Sequence, residues 1–290
     1  MTAVARSLLG RRDAFSPRAR RVLLLVSAAA VTAAAVWAWR RSGLGPGDLH
    51  PAALVVAVLV AAPLSLALRA AEFDLAARLV GRPVAPRRAL DVALVASAAN
   101  LLPVPGSLLV TWRALSDDGT GAGRALGAGA VPGLSWLALT GMVGGTAMIV
   151  AGAAPLGVAT LTGGVVATLV ATRLVVSLVP ARRRLRLVAR LVAVELGWLG
   201  ASVLRLSLAL SALDHPVELP RVLALSVAGS LTVAVGVFPA GLGLREALIA
   251  GVGAAVGLGL DVAVLVGTVD RLVWLVFLAA ALGVASLRPR

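Results

Sequence analysis

The residues best suited to chemistry in this sequence are an arginine and a glutamate that follow a break rich in proline and glycine. The run Phe238-Pro-Ala-Gly-Leu-Gly-Leu-Arg-Glu246 interrupts an apolar stretch, so one helix is predicted to end there and another to begin. Backbone N–H groups at a helix start favour an anion, and Arg245 adds a positive charge beside them. Its planar guanidinium suits a phosphate, which it can hold through two parallel hydrogen bonds. The predicted anion site comprises Pro239, Gly241, Gly243, Arg245 and Glu246.

Glu246 allows more than one interpretation. It falls in the first turn of the new helix, where the helix dipole favours a carboxylate. It could pair with Arg245 or with Arg271 of a later stretch, or it could bind the amine of a ligand. The alternative to a binding site is structural, namely a helix cap together with an interfacial ion pair.

Residue types that the chain lacks exclude several other chemistries. There is no cysteine, which excludes thiolate metal ligands and a cysteine nucleophile. All 27 basic residues are arginine, and the absence of lysine excludes a P-loop and Schiff-base chemistry. The two histidines, His50 and His215, lie far apart in the sequence and do not predict a zinc site. We therefore predict no cofactor, no metal and no enzymatic activity.

The composition indicates which elements must position the candidate residues. Hydrophobic residues make up 60% of the 290 residues and charged residues 14%, with a mean hydropathy of +0.99. Soluble domains carry about 25% charged residues, so the composition predicts an all-α integral membrane protein. Apolar stretches predicted to span are Val22–Trp39, Pro51–Leu68, Ala125–Ala151, Pro155–Val179, Leu191–Leu213, Ala247–Leu260 and Val262–Leu287.

Two further apolar stretches, Ala89–Leu115 and Val222–Leu244, are broken in the middle by proline and glycine. Irregular backbone at membrane depth persists only where it is buried in protein or lines a wet cavity. Paired breaks in matching positions of two halves are typical of inverted-repeat transporters and their binding sites. Chance is the alternative, because glycine and proline are common in membrane helices. The first break adds to the candidate site Asn100, Pro103 and Gly106.

The arginines predict which side of the membrane each loop faces. Residues 1–21 carry six arginines and are expected in the cytoplasm by the positive-inside rule. The arginine-rich loops Arg69–Arg88 and Arg182–Arg190 are expected on the same side. Three apolar stretches lie between these loops, so one of them must enter and leave on one side. We expect Ala89–Leu115 to be that re-entrant hairpin.

Together these patterns predict seven to eight transmembrane helices plus two broken, re-entrant helical hairpins in an inverted repeat. Residues 1–21 would be a basic cytoplasmic segment, and residues 22–287 a single transmembrane domain with repeat halves 22–180 and 187–287. Glycine pairs such as Gly141-x-x-x-Gly145 would let neighbouring helices approach closely.

Other charges inside the predicted spans are given structural roles. Arg173 can extend its guanidinium to the interface. Glu195 and Arg205 lie ten residues apart in the sequence, which is about 15 Å along a helix and too far for them to pair. Arg69 and Glu72 are predicted to form a local ion pair with i,i+3 spacing.

The two breaks resemble the signatures of a known family. Ala99-Asn-Leu-Leu-Pro-Val-Pro-Gly106 followed by Arg113 resembles the N-x-L-P-x-x-G…R signature of the lysylphosphatidylglycerol synthase transmembrane-region family, with a longer spacing to the arginine. Phe238–Glu246 resembles that family's P-x-G-x-G-x-R-E signature, and Asp270-Arg271 resembles its closing helix. The resemblance adds Arg113 and Arg271 to the candidate site.

The resemblance implies a flippase-like membrane fold, in a family whose best-known members move aminoacylated lipids across the bilayer. Because the sequence ends soon after the last predicted span, we expect it to lack the aminoacyl-transferase domain of the full synthases. The expected partners are membrane lipids with anionic headgroups and not nucleic acid, since arginines between apolar stretches mark cytoplasmic loops.

We therefore expect a lipid flippase-like transporter in the bacterial cytoplasmic membrane, moving a phospholipid or another lipid-linked anionic headgroup. The alternative is a non-transporting accessory protein that scaffolds a partner synthase or glycosyltransferase. A membrane enzyme acting on a lipid-linked substrate would need a carboxylate or histidine cluster at one interface, which the sequence does not contain.

Overall fold

The computed structural model describes residues 29, 32–100, 106–116, 120–235 and 244–287, and the regular elements in these ranges are all helices. The prediction of an all-α protein is therefore confirmed. A short 3-10 helix, Pro46–Asp48, precedes the first long helix. The α-helices are residues 32–42 (α1), Pro51–Leu79 (α2), Pro86–Ala99 (α3), Gly106–Ser116 (α4), Ala122–Val150 (α5), Ala154–Leu178 (α6), Ala181–Ala212 (α7), Leu219–Val235 (α8), Leu244–Ala255 (α9) and Leu260–Ser286 (α10). Helix α2 contains a π-helical segment at Ala57–Ala61.

Five of the described helices are long and apolar enough to cross a membrane, namely α2, α5, α6, α7 and α10. Each has at least 25 residues, and a helix needs about 20 to cross the hydrocarbon core. Large apolar side chains point outward from these helices, among them Leu59, Val150 and Leu169. A contiguous apolar exterior of this kind suits lipid and not water. The chain is a multi-pass membrane protein.

The described residues do not support seven to eight spans. The predicted span Ala247–Leu260 overlaps α9 instead. That helix has 12 residues and is about 18 Å long, which is too short to cross the membrane. Gly257, with φ +79°, then turns the chain before α10. Most of Val22–Trp39 and the break in Val222–Leu244 lie outside the described residues.

The first break separates two short helices that contact each other. Helix α3 has 14 residues and α4 has 11, so neither is long enough to cross alone. The Ser107 N–H donates to Oδ1 of Asn100 at 2.8 Å, which ties the start of α4 to the end of α3. A Cβ on Gly106 would lie 2.1 Å from the carbonyl oxygen of Ala99, so only glycine permits this approach.

Helices α5 and α6 pack closely against each other, and glycine makes the approach possible. A Cβ on Gly141 would lie 2.6 Å from Cα of Gly164, and one on Gly145 would lie 2.7 Å from the backbone nitrogen of Leu161. The predicted packing role of these two glycines is confirmed.

Helices α7 and α10 each pack against several other helices. Helix α7 packs against α2, α5, α8 and α10, and α10 packs against α3 and α9 as well. Of the five candidate spans, α10 is the most buried. Helix α10 therefore contacts α3, which precedes the first predicted break, and α9, which follows the second.

Candidate functional site

Two adjacent charged residues lie in the middle of the most buried helix. Asp270 and Arg271 follow the start of α10 by ten and eleven residues, which is about 15 Å along the axis. Their exposed fractions are 1% and 8%. Charged side chains at this depth are costly, face the protein interior and mark functional sites by default.

Asp270 is held by arginines from two other helices. Arg205 of α7 donates from Nε to Oδ1 at 2.7 Å and from Nη2 to Oδ2 at 3.3 Å, forming two parallel hydrogen bonds. Arg245, in the first turn of α9, donates to Oδ2 of the same carboxylate. Arg205 also donates to the hydroxyl of Ser65 on α2 at 3.3 Å. One buried carboxylate therefore joins α7, α9 and α10.

A second ion pair lies directly beside the first. Arg271 donates from Nη1 to Oε1 of Glu246 at 2.9 Å. Because Arg245 and Glu246 are neighbours on α9, as Asp270 and Arg271 are on α10, two adjacent pairs connect the same two helices. Gly267 lets the helices approach, since a Cβ there would lie 3.3 Å from Ile249.

These five side chains, which we call the arginine network, do not balance in charge. The members are Arg205, Arg245, Glu246, Asp270 and Arg271. Three guanidinium groups face two carboxylates, so one positive charge is in excess when all are ionised. The side chain of Arg245 is 19% exposed, whereas those of the other four are 10% exposed or less. The excess charge is therefore most accessible at Arg245.

The structure brings together only part of the candidate site from the sequence. Arg245, Glu246 and Arg271 lie in the arginine network, and Glu246 pairs with Arg271. Asn100 and Gly106 lie together at the first break. Arg113 lies in the last turn of α4 and is exposed. The remaining four residues lie outside the described ranges, namely Pro103, Pro239, Gly241 and Gly243.

Sequence reasoning missed three members of this arrangement, namely Ser65, Arg205 and the carboxylate of Asp270. Arg205 was expected to have a structural role, and Glu195 on the same helix was expected to lie too far away to pair with it. Its partner lies 65 residues away on α10. The rule that ionisable residues inside a membrane are functional candidates would have selected both charged residues, but only the fold shows that they meet.

The network is suited to binding an anion and not a metal ion. In the described ranges no group of three or more histidine, aspartate or glutamate side chains could hold a metal. Guanidinium groups bind phosphate or carboxylate oxygens through directed hydrogen bonds.

A comparison of the chain with protein-family models gives no match, and neither does a comparison with curated proteins.

Proposed function

We propose that the protein is a lipid flippase-like transporter whose arginine network receives the anionic headgroup of a phospholipid or another lipid-linked substrate. The observation that supports this proposal is the single excess positive charge among the five side chains of the network, four of them buried, with the excess accessible at the partly exposed Arg245. The headgroup would bind at the network while its acyl chains stay in the bilayer. The resemblance of both breaks to the lysylphosphatidylglycerol synthase transmembrane region agrees with this function.

The proposal includes two re-entrant hairpins in the bacterial cytoplasmic membrane. Helices α3 and α4 would form the first re-entrant hairpin, and helices α8 and α9 would form the second. The second helix of each hairpin, α4 or α9, is too short to cross the membrane. If Val22–Trp39 crosses with the five long helices, the chain crosses six times. Both termini would then be cytoplasmic, as the arginines of residues 1–21 favour.

Single cysteines test this topology, because the chain has none of its own. Ala85→Cys and Gly123→Cys flank the first hairpin at exposed positions, and we expect a membrane-impermeant thiol reagent to label both from the cytoplasmic face. Ala154→Cys, at the exposed start of α6, is the control and should be labelled from the opposite face. Labelling of the first two from different faces would show that the segment crosses.

Lipid movement is tested by headgroup accessibility in proteoliposomes. We expect the wild-type protein to move a labelled anionic phospholipid between leaflets, and Arg245→Ala to abolish the movement while the protein still inserts and folds. Arg186→Ala, at an exposed position on α7, is the matched control and should keep the wild-type rate. Full activity of Arg245→Ala would remove the network from the mechanism.

A scaffold for a partner synthase or glycosyltransferase is the second candidate. One observation favours this scaffold function. The guanidinium groups of Arg205, Arg245 and Arg271 each already contact a carboxylate of the protein. Such pairing is also what a structural cross-link between α7, α9 and α10 requires. If the reconstituted protein moves none of the phospholipids tested, this function replaces transport.

A further inference from the structure

A second group of charged side chains lies where α2 packs against α7. The guanidinium of Arg69 lies 3.6 Å from the carboxylate of Glu72 and 4.6 Å from the ring centroid of Trp198. The predicted pair between Arg69 and Glu72 is thus confirmed. Glu195 lies one helical turn before Trp198 on α7, within electrostatic reach of both Glu72 and Arg69. We call Arg69, Glu72 and Glu195 the carboxyl cluster.

Glu195 is the most buried member of this cluster, and the part of the chain that the structure describes offers it no hydrogen-bond partner. Its exposed fraction is 1%, and neither carboxyl oxygen has a partner among the described residues. Buried polar groups are almost always hydrogen-bonded, so an unsatisfied one requires an explanation. An isolated ionised carboxylate is too costly to keep away from water and is neutralised instead.

The surroundings of Glu195 supply too little positive charge to neutralise it. Among the described residues, the charged groups that act on it are Glu72 and Arg69 of α2, and Arg69 already pairs with Glu72. Helix α5 contributes the uncharged Trp136, which packs edge-on against Trp198 at 5.9 Å. Arg205 is held by Asp270, about 15 Å further along α7. The cluster therefore has one negative charge in excess when all three groups are ionised.

We propose that Glu195 and Glu72 form a proton-binding site. One proton brings the cluster to zero net charge, and among the described residues no third aspartate, glutamate or histidine joins the two carboxyl groups to form a metal site. The side chain of Arg69 is 29% exposed and that of Glu72 is 10% exposed. A proton from water binds the Glu72 carboxylate and passes to Glu195, after which Glu72 is again the anionic partner of Arg69.

The proton site has a consequence for transport that rests on the proposed function. Ser65, which accepts a hydrogen bond from Arg205, lies two turns before Glu72 on α2, or about 10 Å. An anionic headgroup would neutralise the excess positive charge of the arginine network, and a proton the excess negative charge of the carboxyl cluster. When the headgroup and the proton are both bound, neither the arginine network nor the carboxyl cluster carries a net charge. Movement of the anion would then be coupled to movement of the proton, and a proton gradient can drive it.

Infrared difference spectroscopy of the reconstituted full-length protein tests the proton site directly. We expect a pH titration to show the carbonyl stretch of a protonated carboxyl, and Glu195→Gln to lose that band. Asp74→Asn is the matched control, because Asp74 lies on α2, the helix that carries Glu72, and is already paired with Arg78 at 2.6 Å. It should leave the band unchanged. If Glu195→Gln fails to fold, Glu195→Asp should still shift the band.

The outcomes separate the proton site from the proposed function. An unchanged band in Glu195→Gln, or a band that depends on sodium and not on pH, would overturn the proton site. Loss of the band in this variant, with no lipid movement by the wild-type protein, would support the site and reject lipid transport. If lipid does move, we expect Glu195→Gln to keep headgroup binding and to lose its acceleration by an imposed proton gradient.

Discussion

The arginine network and the carboxyl cluster both include a residue of helix α7, but they differ in how their buried charged groups are paired. In the network each carboxylate contacts a guanidinium, and Asp270 contacts two of them. In the cluster a single guanidinium faces two carboxyl groups, and Glu195 has no hydrogen-bond partner among the described residues. The net charges are therefore opposite, one positive and one negative when all groups are ionised.

This difference indicates what each region would bind. A group of paired charges with one positive charge in excess is preorganised for an anion, because its donors are already fixed by their partners. A buried acid without a partner is suited to a species that enters and leaves, and a proton is the smallest of these. Substitutions that remove one charge at a time test the difference, since the same chemical change should have unequal effects in the two regions.

Asp270→Asn should have the largest effect on stability. The substitution removes the carboxylate that Arg205 and Arg245 share. It leaves the buried guanidinium of Arg205 without its counter-charge and removes the ion-pair partner of the partly exposed Arg245. Breaking a buried ion pair by removing one partner costs about 3–5 kcal/mol. We expect a loss of this size in the free energy of unfolding, measured by denaturation in detergent.

Two further variants control for the Asp270→Asn result. Asp74→Asn breaks the more exposed pair with Arg78 and should cost less than about 1 kcal/mol. Adding Arg205→Met to Asp270→Asn should restore part of the lost stability, because a buried charge is removed. A double variant as unstable as the sum of the two single ones would contradict the shared role of Asp270.

Glutamate-to-glutamine substitutions should separate the two regions. Glu246→Gln weakens the charge-assisted bond to Arg271 at 2.9 Å, and such bonds contribute about 1.5–3 kcal/mol. Glu195→Gln removes an ionisable group that has no bond to lose, so we expect it to leave the stability unchanged or to raise it slightly. The midpoints of thermal unfolding, compared at one pH in one detergent, measure both effects. Equal losses would mean that Glu195 has a partner and that the two regions are alike.

The sequence predicts the class of the fold better than the contacts of the site. Apolar length and composition correctly predicted long membrane helices, because each helix satisfies its own backbone hydrogen bonds. The span Ala247–Leu260 was misjudged, since hydropathy does not detect the turn at Gly257. The pair Arg69–Glu72 was predictable because it is local. The contact of Arg205 with Asp270 joins residues on α7 and α10, and no periodicity within either helix encodes it.

Arg245→Lys should have the smallest effect on stability among the substitutions in the arginine network and should separate binding from structure. Arg245 contributes one hydrogen bond to Asp270 from a partly exposed position, whereas Arg205 contributes two. A lysine ammonium at position 245 can keep one contact, so we expect the free energy of unfolding to fall by less than about 1 kcal/mol, near the value for a partly exposed pair. Arg205→Lys should cost more, because a single ammonium cannot replace the parallel pair of bonds.

The same Arg245→Lys variant should still lose much of its lipid movement. A lysine retains the positive charge but presents a point charge, without the planar fork that holds two phosphate oxygens. The rate of lipid movement, measured by headgroup accessibility in proteoliposomes, should therefore fall between the rates of the wild-type protein and of Arg245→Ala. Wild-type movement by Arg245→Lys would show that charge alone is needed at this position. A variant that unfolds as readily as Asp270→Asn would instead show that Arg245 has a mainly structural role, and the contrast between a binding network and a proton-binding cluster would no longer hold.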